Sequence, residues 1–195
     1  MDKKSIQEAW EAVRYDNIST LKNYVNSKES ANAKLISDRN HCHTFLMAAA
    51  AHGAVQCAKY LIEQGADVNM KNFHGFTALH WAAFTGSTNV VPILLENQAD
   101  IEARTADGKT PLHIAAFRGQ RGFIELILKN NADINSVDAD GHNALYYSVS
   151  ANQQATTDFL LQNNIVTDQV DAQKVSISDL ANDPKHKWLA AMLEK

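Results

Sequence analysis

Apolar residues fall along this chain in four matched blocks. Each opens on a polar residue and runs straight into a stretch poor in polar side chains: Thr44-Phe-Leu-Met-Ala-Ala, Thr77-Ala-Leu-His-Trp-Ala-Ala, Thr110-Pro-Leu-His-Ile-Ala-Ala and Asn143-Ala-Leu-Tyr-Tyr-Ser-Val. Gly53, Gly86, Gly119 and Asn152 close them. A second apolar group with helical spacing follows: Val55, Tyr60, Leu61 and Ile62, then Val90, Ile93, Leu94 and Leu95, then Phe123, Leu126, Ile127 and Leu128. The pattern predicts pairs of short helices, the first of about eight residues and the second of about ten. Thr44, Thr77, Thr110 and Asn143 suit the N-cap, where a side-chain oxygen accepts a free N–H of the first turn. Pro111 suits the next position, where its missing N–H costs nothing. The glycines suit a left-handed helix end. Helices this short do not persist alone, so burial must come from stacking on neighbours, and the paired alanines let neighbouring helices approach closely. Pro92 is tolerable in the first turn of its helix if Thr88 or Asn89 is the cap.

The blocks repeat at a fixed interval: their first residues lie 33, 33 and 33 apart. Each second helix is followed by a matched tail, Gly65-Ala66-Asp67-Val68-Asn69, Gln98-Ala99-Asp100-Ile101-Glu102 and Asn131-Ala132-Asp133-Ile134-Asn135, which the fourth copy has lost at Ile165-Val166-Thr167. A period of this length, carrying Thr-Pro-Leu-His-x-Ala-Ala, then Gly, then Gly-Ala-Asp-x-Asn, closely resembles the ankyrin repeat. The resemblance is strong over residues 39–170. It implies an all-α ankyrin-repeat solenoid: stacked helix-turn-helix units with projecting β-hairpin loops, Gly75, Gly108 and Gly141 serving the tight turns.

The whole chain, 1–195, reads as one such domain, with repeats at 39–71, 72–104, 105–137 and 138–170. At the front, residues 8–15 and 18–25 read as two short helices of a degenerate cap repeat joined at Asp16-Asn17. A polar connector follows at 26–38. At the back, Ser176 and Asp171 stand one period after Asn143 and Asp138, and residues 188–193 fall on the second-helix register. Residues 171–195 therefore read as a degenerate C-terminal cap, since terminal repeats of a solenoid turn one face to water.

Composition narrows the function. A net charge of −4 and a pI near 6.0 argue against nucleic acid as the main partner. Cys42 and Cys57 cannot make a disulfide framework and fit a reducing compartment. The opening MDKKSIQEAW has no apolar core, so no secretory leader is expected, and no apolar run is long enough for a membrane span. A cytoplasmic monomer is the expectation. Delivery into a host cell is the alternative if the chain is a bacterial effector.

Eight histidines invite a search for chemistry. His80 and His113 belong to the repeated Leu-His pair, and the resemblance implies that they bond backbone across the loops. His41-Cys42-His43 offers zinc-type ligands on a predicted loop tip, but adjacent positions rarely converge on one ion and no fourth ligand stands at a familiar spacing. Cys57 takes an apolar helix position and is expected in the core. No phosphate loop, nucleophile motif or paired carboxylates appear, so neither an enzyme nor a cofactor or metal is expected.

The resemblance also implies a concave partner-binding face made of loop tips and first helices. Mapped here, it offers Asn40, His41, His43 and His52; Lys71, Phe73, His74, Phe76, Phe84 and Thr85; Arg104, Asp107, Lys109, Phe117 and Arg118; and Asp140, His142 and Ser150. The candidate contact set is Phe73, His74, Phe76, Phe84, Arg104, Lys109, Phe117, Arg118 and His142, because aromatic rings beside arginine are the usual make-up of binding hot spots. The competing reading folds Phe84 and Phe117 back onto neighbouring repeats. The function expected is non-enzymatic binding of another protein, with an acidic or extended peptide suiting the patch. A bacterial effector or regulatory subunit acting on a host protein or an associated enzyme is the alternative. Asn69, and less closely Asn135, resembles an asparagine that can be hydroxylated in animal cells; the competing role is turn stabilisation.

Overall fold

The computed structural model describes residues 1–37, 41–168 and 170–193, with the side chains of residues 35–37, 41 and 42 outside that description. It is an all-α solenoid of stacked helix pairs. The front unit is α1 (Lys3–Arg14), α2 (Ile18–Leu21) and α3 (Lys28–Ala31). After a two-stranded ladder, β1 (Lys34–Ser37) and β2 (His41–Thr44), come the pairs α4 (Phe45–His52) with α5 (Val55–Glu63), α6 (Ala78–Thr85) with α7 (Val91–Glu96), α8 (Pro111–Arg118) with α9 (Arg121–Lys129), and α10 (Ala144–Ser150) with α11 (Gln154–Gln162). The chain ends in α12 (Ile177–Ala181), a short 3₁₀ turn and α13 (Lys187–Leu193).

The first helices form one row, in which α1 packs on α4, α4 on α6, α6 on α8, α8 on α10 and α10 on α12. Ala49, Ala50, Ala82, Ala83, Ala115 and Ala116 are fully buried along this row, where small side chains permit close helix contact. Gly53, Gly86 and Gly119 end three of these helices in the left-handed conformation, with φ of 65°, 78° and 71°, and Asn152 follows the fourth at 55°. The helix starts divide into two kinds. Thr44 Oγ1 accepts from Met47 N (3.2 Å), and Asn143 Oδ1 accepts from Leu145 N and Tyr146 N. In the two middle copies a histidine shares the work. His80 Nδ1 accepts from Thr77 N (3.2 Å) and His113 Nδ1 from Thr110 N (2.9 Å). The proton is therefore on Nε2, which donates to Lys109 O and to Ser136 O, each at 3.0 Å. Each of these rings ties a helix start to the backbone of a later loop.

The front helices differ in extent from the 8–15 and 18–25 expected, since α1 already starts at Lys3 and α2 ends at Leu21, and three further local readings change. The connector at 26–38 is not featureless: Ser27 caps α3, and β1 pairs antiparallel with β2, Lys34 opposite Thr44. Residues 41–43 accordingly lie on a strand rather than a loop tip. Second, α7 starts at Val91, three residues later than the 33-residue register predicts from α5 and α9, and its N-cap is Val90 rather than Thr88 or Asn89. Pro92 does sit in the first turn, and its missing N–H, which an earlier start would need as a donor to Thr88 O, accounts for the late start. Third, the loops between later repeats are tight turns without strand assignment. In each, a backbone pair closes the turn: Asn72 N to Phe76 O, Thr105 N to Lys109 O, Asp138 N to His142 O and Asp171 N to Val175 O, all 3.0 Å. Neighbouring turns are then joined by Ala106 N to His74 O (2.9 Å), Ala139 N to Asp107 O (3.2 Å) and Ala172 N to Asp140 O (2.8 Å).

Those joints explain one glycine better than turn conformation alone. Gly108 and Gly141 both have positive φ, 80° and 87°, but a Cβ on Gly108 would lie 2.6 Å from Ala139 N, whereas on Gly141 the nearest atom is 3.5 Å away. Gly141→Ala is expected to cost about 1–2 kcal/mol, the usual left-handed penalty, and Gly108→Ala distinctly more, because backbone must move. Equal losses in urea unfolding would show that the neighbouring turn is not packed this closely.

The buried rings give a second prediction. Burial pushes His80 and His113 down to about 4 from an ordinary 6.5, despite backbone hydrogen bonds that act the other way. Between pH 6.5 and 4 the unfolded chain takes up two protons that the folded chain refuses. Their contribution is whole above pH 6.5 and lost as pH falls through 4, with a slope approaching about 3 kcal/mol per pH unit. Urea midpoints should drop between pH 6.5 and 5, above the carboxylate range, while NMR shows both rings still neutral. Rings found charged at pH 5 in the folded protein would contradict this.

Candidate aromatic cleft on the first-helix face

Four copies of one unit would make a uniform surface if their exposed positions were alike, and they are not. Four residues after the helix-opening residue stand Ala48, Trp81, Ile114 and Tyr147; seven residues after it stand Ala51, Phe84, Phe117 and Ser150. Small side chains on α4 thus face large ones on α6, and the mismatch leaves an opening. Trp10 from α1 closes its other side. The result is an apolar cleft of about 350 Å³ lined by Trp10, His43, Met47, Ala48, Ala51, His52, Trp81, Phe84 and Thr85. A smaller cavity of about 150 Å³ adjoins it, shares His43, Trp81 and Phe84, and adds Asn72, His74 and Phe76.

Ring contacts hold these walls. His43 meets Trp81 edge-on at 4.8 Å and Trp10 at 6.4 Å. Trp81 meets Phe84 at 5.6 Å and Phe76 at 5.8 Å, and Phe76 also meets His80 at 5.4 Å. Trp81 Nε1 is buried without a hydrogen-bond acceptor among the described residues, so ring contacts rather than a hydrogen bond orient the indole. Trp10 and Trp81 were not in the candidate set read from the sequence. The signal for Trp81 was available in the alignment of the copies, where it stands opposite Ala48; Trp10 lies in the front unit, ahead of the four aligned blocks, where the period gives no register.

The candidate residues separate into three groups. Phe76, Phe84, His74 and Arg118 gather at the cleft. Phe84 is 36% exposed, and the Arg118 guanidinium lies 4.3 Å over its ring while Arg118 Nε donates to Phe84 O (3.3 Å). Phe73 and Phe117 stand apart and open to solvent, 67% and 48% exposed. Phe73 is carried at a turn tip, and Phe117 lies one repeat along, edge-on to Tyr147 at 6.4 Å. Phe84 and Phe117 therefore make neighbour contacts and remain accessible.

Arg104, Lys109 and His142 form the third group, in a polar ladder along the turns. Arg104 Nη1 donates to Gly108 O (3.0 Å) and Val137 O (2.5 Å). Lys109 Nζ pairs with Asp107 Oδ2 (2.5 Å) and lies 5.3 Å over Tyr147. Burial works to raise the Asp107 carboxyl, and its bonds from Lys109 and Thr105 outweigh that and hold it low. His142 stacks on Tyr146 at 3.6 Å, with Nε2 3.1 Å from Asp171 Oδ2 and Nδ1 3.6 Å from Asp138 Oδ2. Its side chain is 11% exposed, so it braces the fourth repeat against the C-terminal unit instead of facing solvent. Asn69 is likewise engaged, since Nδ2 donates to Gln98 O and Oδ1 accepts from Asp100 N, both 2.8 Å. Asn135 Oδ1 accepts from Val166 N (2.8 Å). These are the turn-bridging roles weighed against hydroxylation.

Metal-type chemistry has one geometric candidate among the described residues: Asp138, Asp140 and His142 offer ligand atoms within 4.8 Å of one another. Asp138 is already engaged, with Oδ1 accepting from Asp140 N and His142 N at 2.9 Å and Oδ2 accepting from the Tyr147 hydroxyl. The group is a turn cap, repeated by Asn72 and Asp171 at the same register. Asn40 lies outside the described residues, as do the side chains of His41 and Cys42, so the His41-Cys42-His43 candidate is described only at His43. Cys57 is fully buried in the core, and burial pushes its thiol up to about 12. A larger surface depression of about 870 Å³ runs past Asn32, Gly65 and Asn69. Its amide side chains Asn32, Asn69 and Asn97 bond backbone, Asn32 to Gly65 O and Asp67 N.

The Asp138–Tyr147 bond is open to test. Burial raises the Tyr147 hydroxyl well above its usual value and the Asp138 bond raises it further, while that same bond helps hold Asp138 low against its own burial. Tyr147→Phe leaves a buried carboxylate short of a donor and is expected to cost about 1–3 kcal/mol. An unchanged urea midpoint would show that the bond contributes nothing.

The family model for ankyrin repeats, in three copies, matches residues 9–105 and 99–171. A search of curated proteins finds no match. With matches spanning most of the chain, on helix pairs that stack with the required spacing, this protein belongs to the ankyrin-repeat family.

Proposed function

We propose that the chain binds a partner protein through the face built from its first helices and turns, centred on the cleft at Trp10, Trp81 and Phe84. Ankyrin repeats are generally protein–protein interaction modules and typically non-enzymatic. What carries the reading for this chain is the cleft itself: large apolar side chains, which stacking of the repeats does not require, stand beside solvent at one place. Phe84 and Phe117 remain partly exposed with Arg118 between the two repeats, and aromatic rings with arginine supply much of the energy at protein interfaces. The net charge of −4 disfavours nucleic acid as the ligand. Among the described residues no helix is long and apolar enough to cross a membrane.

The test is quantitative affinity capture with the wild type and with the triple variant Phe84→Ala/Phe117→Ala/Arg118→Ala, after checking that thermal unfolding is little changed. Loss of two hot-spot rings and a guanidinium is expected to weaken the specific partner by about 30-fold or more. If every captured protein survives the triple change undiminished, this face is not the binding face.

A further inference from the structure

The chain carries 22 acidic against 18 basic residues, and the cleft does not share that balance. Among the described residues no carboxylate lines either the main cleft or the adjoining cavity, whereas three imidazoles do: His43, His52 and His74. Arg118 lies over Phe84, at the edge of the cleft. Only its Nε is engaged, on Phe84 O, and it has no ion pair among the described residues. The residue is exposed and its Nη groups make no hydrogen bond among the described residues, so their donors are available in the fork geometry that suits a carboxylate. Lys71, beside the cavity-lining Asn72, likewise has no carboxylate partner among the described residues; its Nζ donates to Arg104 O (3.0 Å). The shape restricts the ligand as the charge does. About 350 Å³ is near the lower end of the range for small-molecule sites, with room for one or two side chains and not for a folded face.

We propose that the cleft takes an extended acidic segment of a partner protein, with one large aromatic or aliphatic side chain seated among Trp10, Trp81 and Phe84 and a neighbouring Asp or Glu carboxylate on the Nη groups of Arg118. This rests on the reading that the first-helix face binds protein, and it names the chemistry that the face selects. The apolar anchor supplies affinity by leaving water. The carboxylate supplies selectivity, because a cationic segment would meet imidazoles and a guanidinium and, among the described lining residues, no acid.

The test is a display library of random peptides, about ten residues long, selected on the full-length chain. Winners are then synthesised and titrated by fluorescence anisotropy against the wild type and two variants. Ala51→Phe plugs the cleft from a half-buried position, and Arg118→Glu reverses the charge at its edge on an exposed side chain. Winners are expected to carry an aromatic residue or Leu within one or two positions of Asp or Glu, to lose about ten-fold or more on each variant, and to weaken as salt rises from about 0.05 to 0.5 M. Winners that are basic or uncharged, winners indifferent to both variants, or failure to enrich any sequence would overturn the proposal. Should that happen while captured partners still depend on Phe84, Phe117 and Arg118, the face binds protein and only the acidic-anchor chemistry is wrong. Should captured partners ignore those three residues, the binding face itself is misplaced.

Discussion

The structure depends on close contact between helices that cannot stand alone. The first helices are seven or eight residues long from α4 through α10, well short of what persists in water. They hold because paired alanines let each lie close against the next and because the row continues. The same closeness reaches the turns, where successive backbones hydrogen-bond at Ala106, Ala139 and Ala172. It also brings His80 and His113 within reach of carbonyls beyond their own helix. Core, turns and helix caps are thus one arrangement. Disturbing it at one joint, as a side chain on Gly108 would, acts on two repeats at once.

Because that arrangement repeats, its surface is where the copies are free to differ. The four- and seven-residue positions of each first helix project from the row, and the stack tolerates Ala, Ile, Tyr, Ser, Phe or Trp there. A cleft follows wherever a small pair stands beside a large one. Here that happens between α4 and α6, with Trp10 of the front unit completing the wall. The front unit is therefore more than a cover for the end of the core. The polar residues sort by the same geometry: on the turns, Arg104 and His142 are drawn into bonds between repeats and Lys109 into an ion pair with Asp107, while Arg118, on a helix end, makes one hydrogen bond, through Nε, among the described residues.

Much of this was legible from spacing alone. The 33-residue period located the helix pairs, the caps at Thr44 and Asn143, the left-handed helix ends and the buried alanines, because each depends on local chemistry or on a periodicity that survives in one dimension. The period also marked Phe84, Phe117 and Arg118 as surplus to the stack. It could not separate Arg118 from Arg104, nor Phe76 from Phe73, since both members of each pair look exposed when only one repeat is considered.

What the tertiary structure alone decided is what each side chain meets in the next repeat. His142 reads as an exposed turn residue until Asp171 and Tyr146 enclose it. Asp16 reads as a helix linker, yet it adopts a φ of 52° and accepts from Cys57 N and Gln56 N, capping α5, whose own N-cap, Ala54, has no side chain able to do so. Residues 34–37 read as polar connector until they pair with the strand that ends at Thr44. The cleft belongs to this class, for Trp10 and Trp81 are 71 positions apart in the chain and face one cavity only after three units have stacked. Sequence determined the repeating unit, because caps, turns and apolar periodicity act within one or two helices. Stacking determined the cleft and the contacts around it, because burial and hydrogen-bond partners there come from residues a full period or more away.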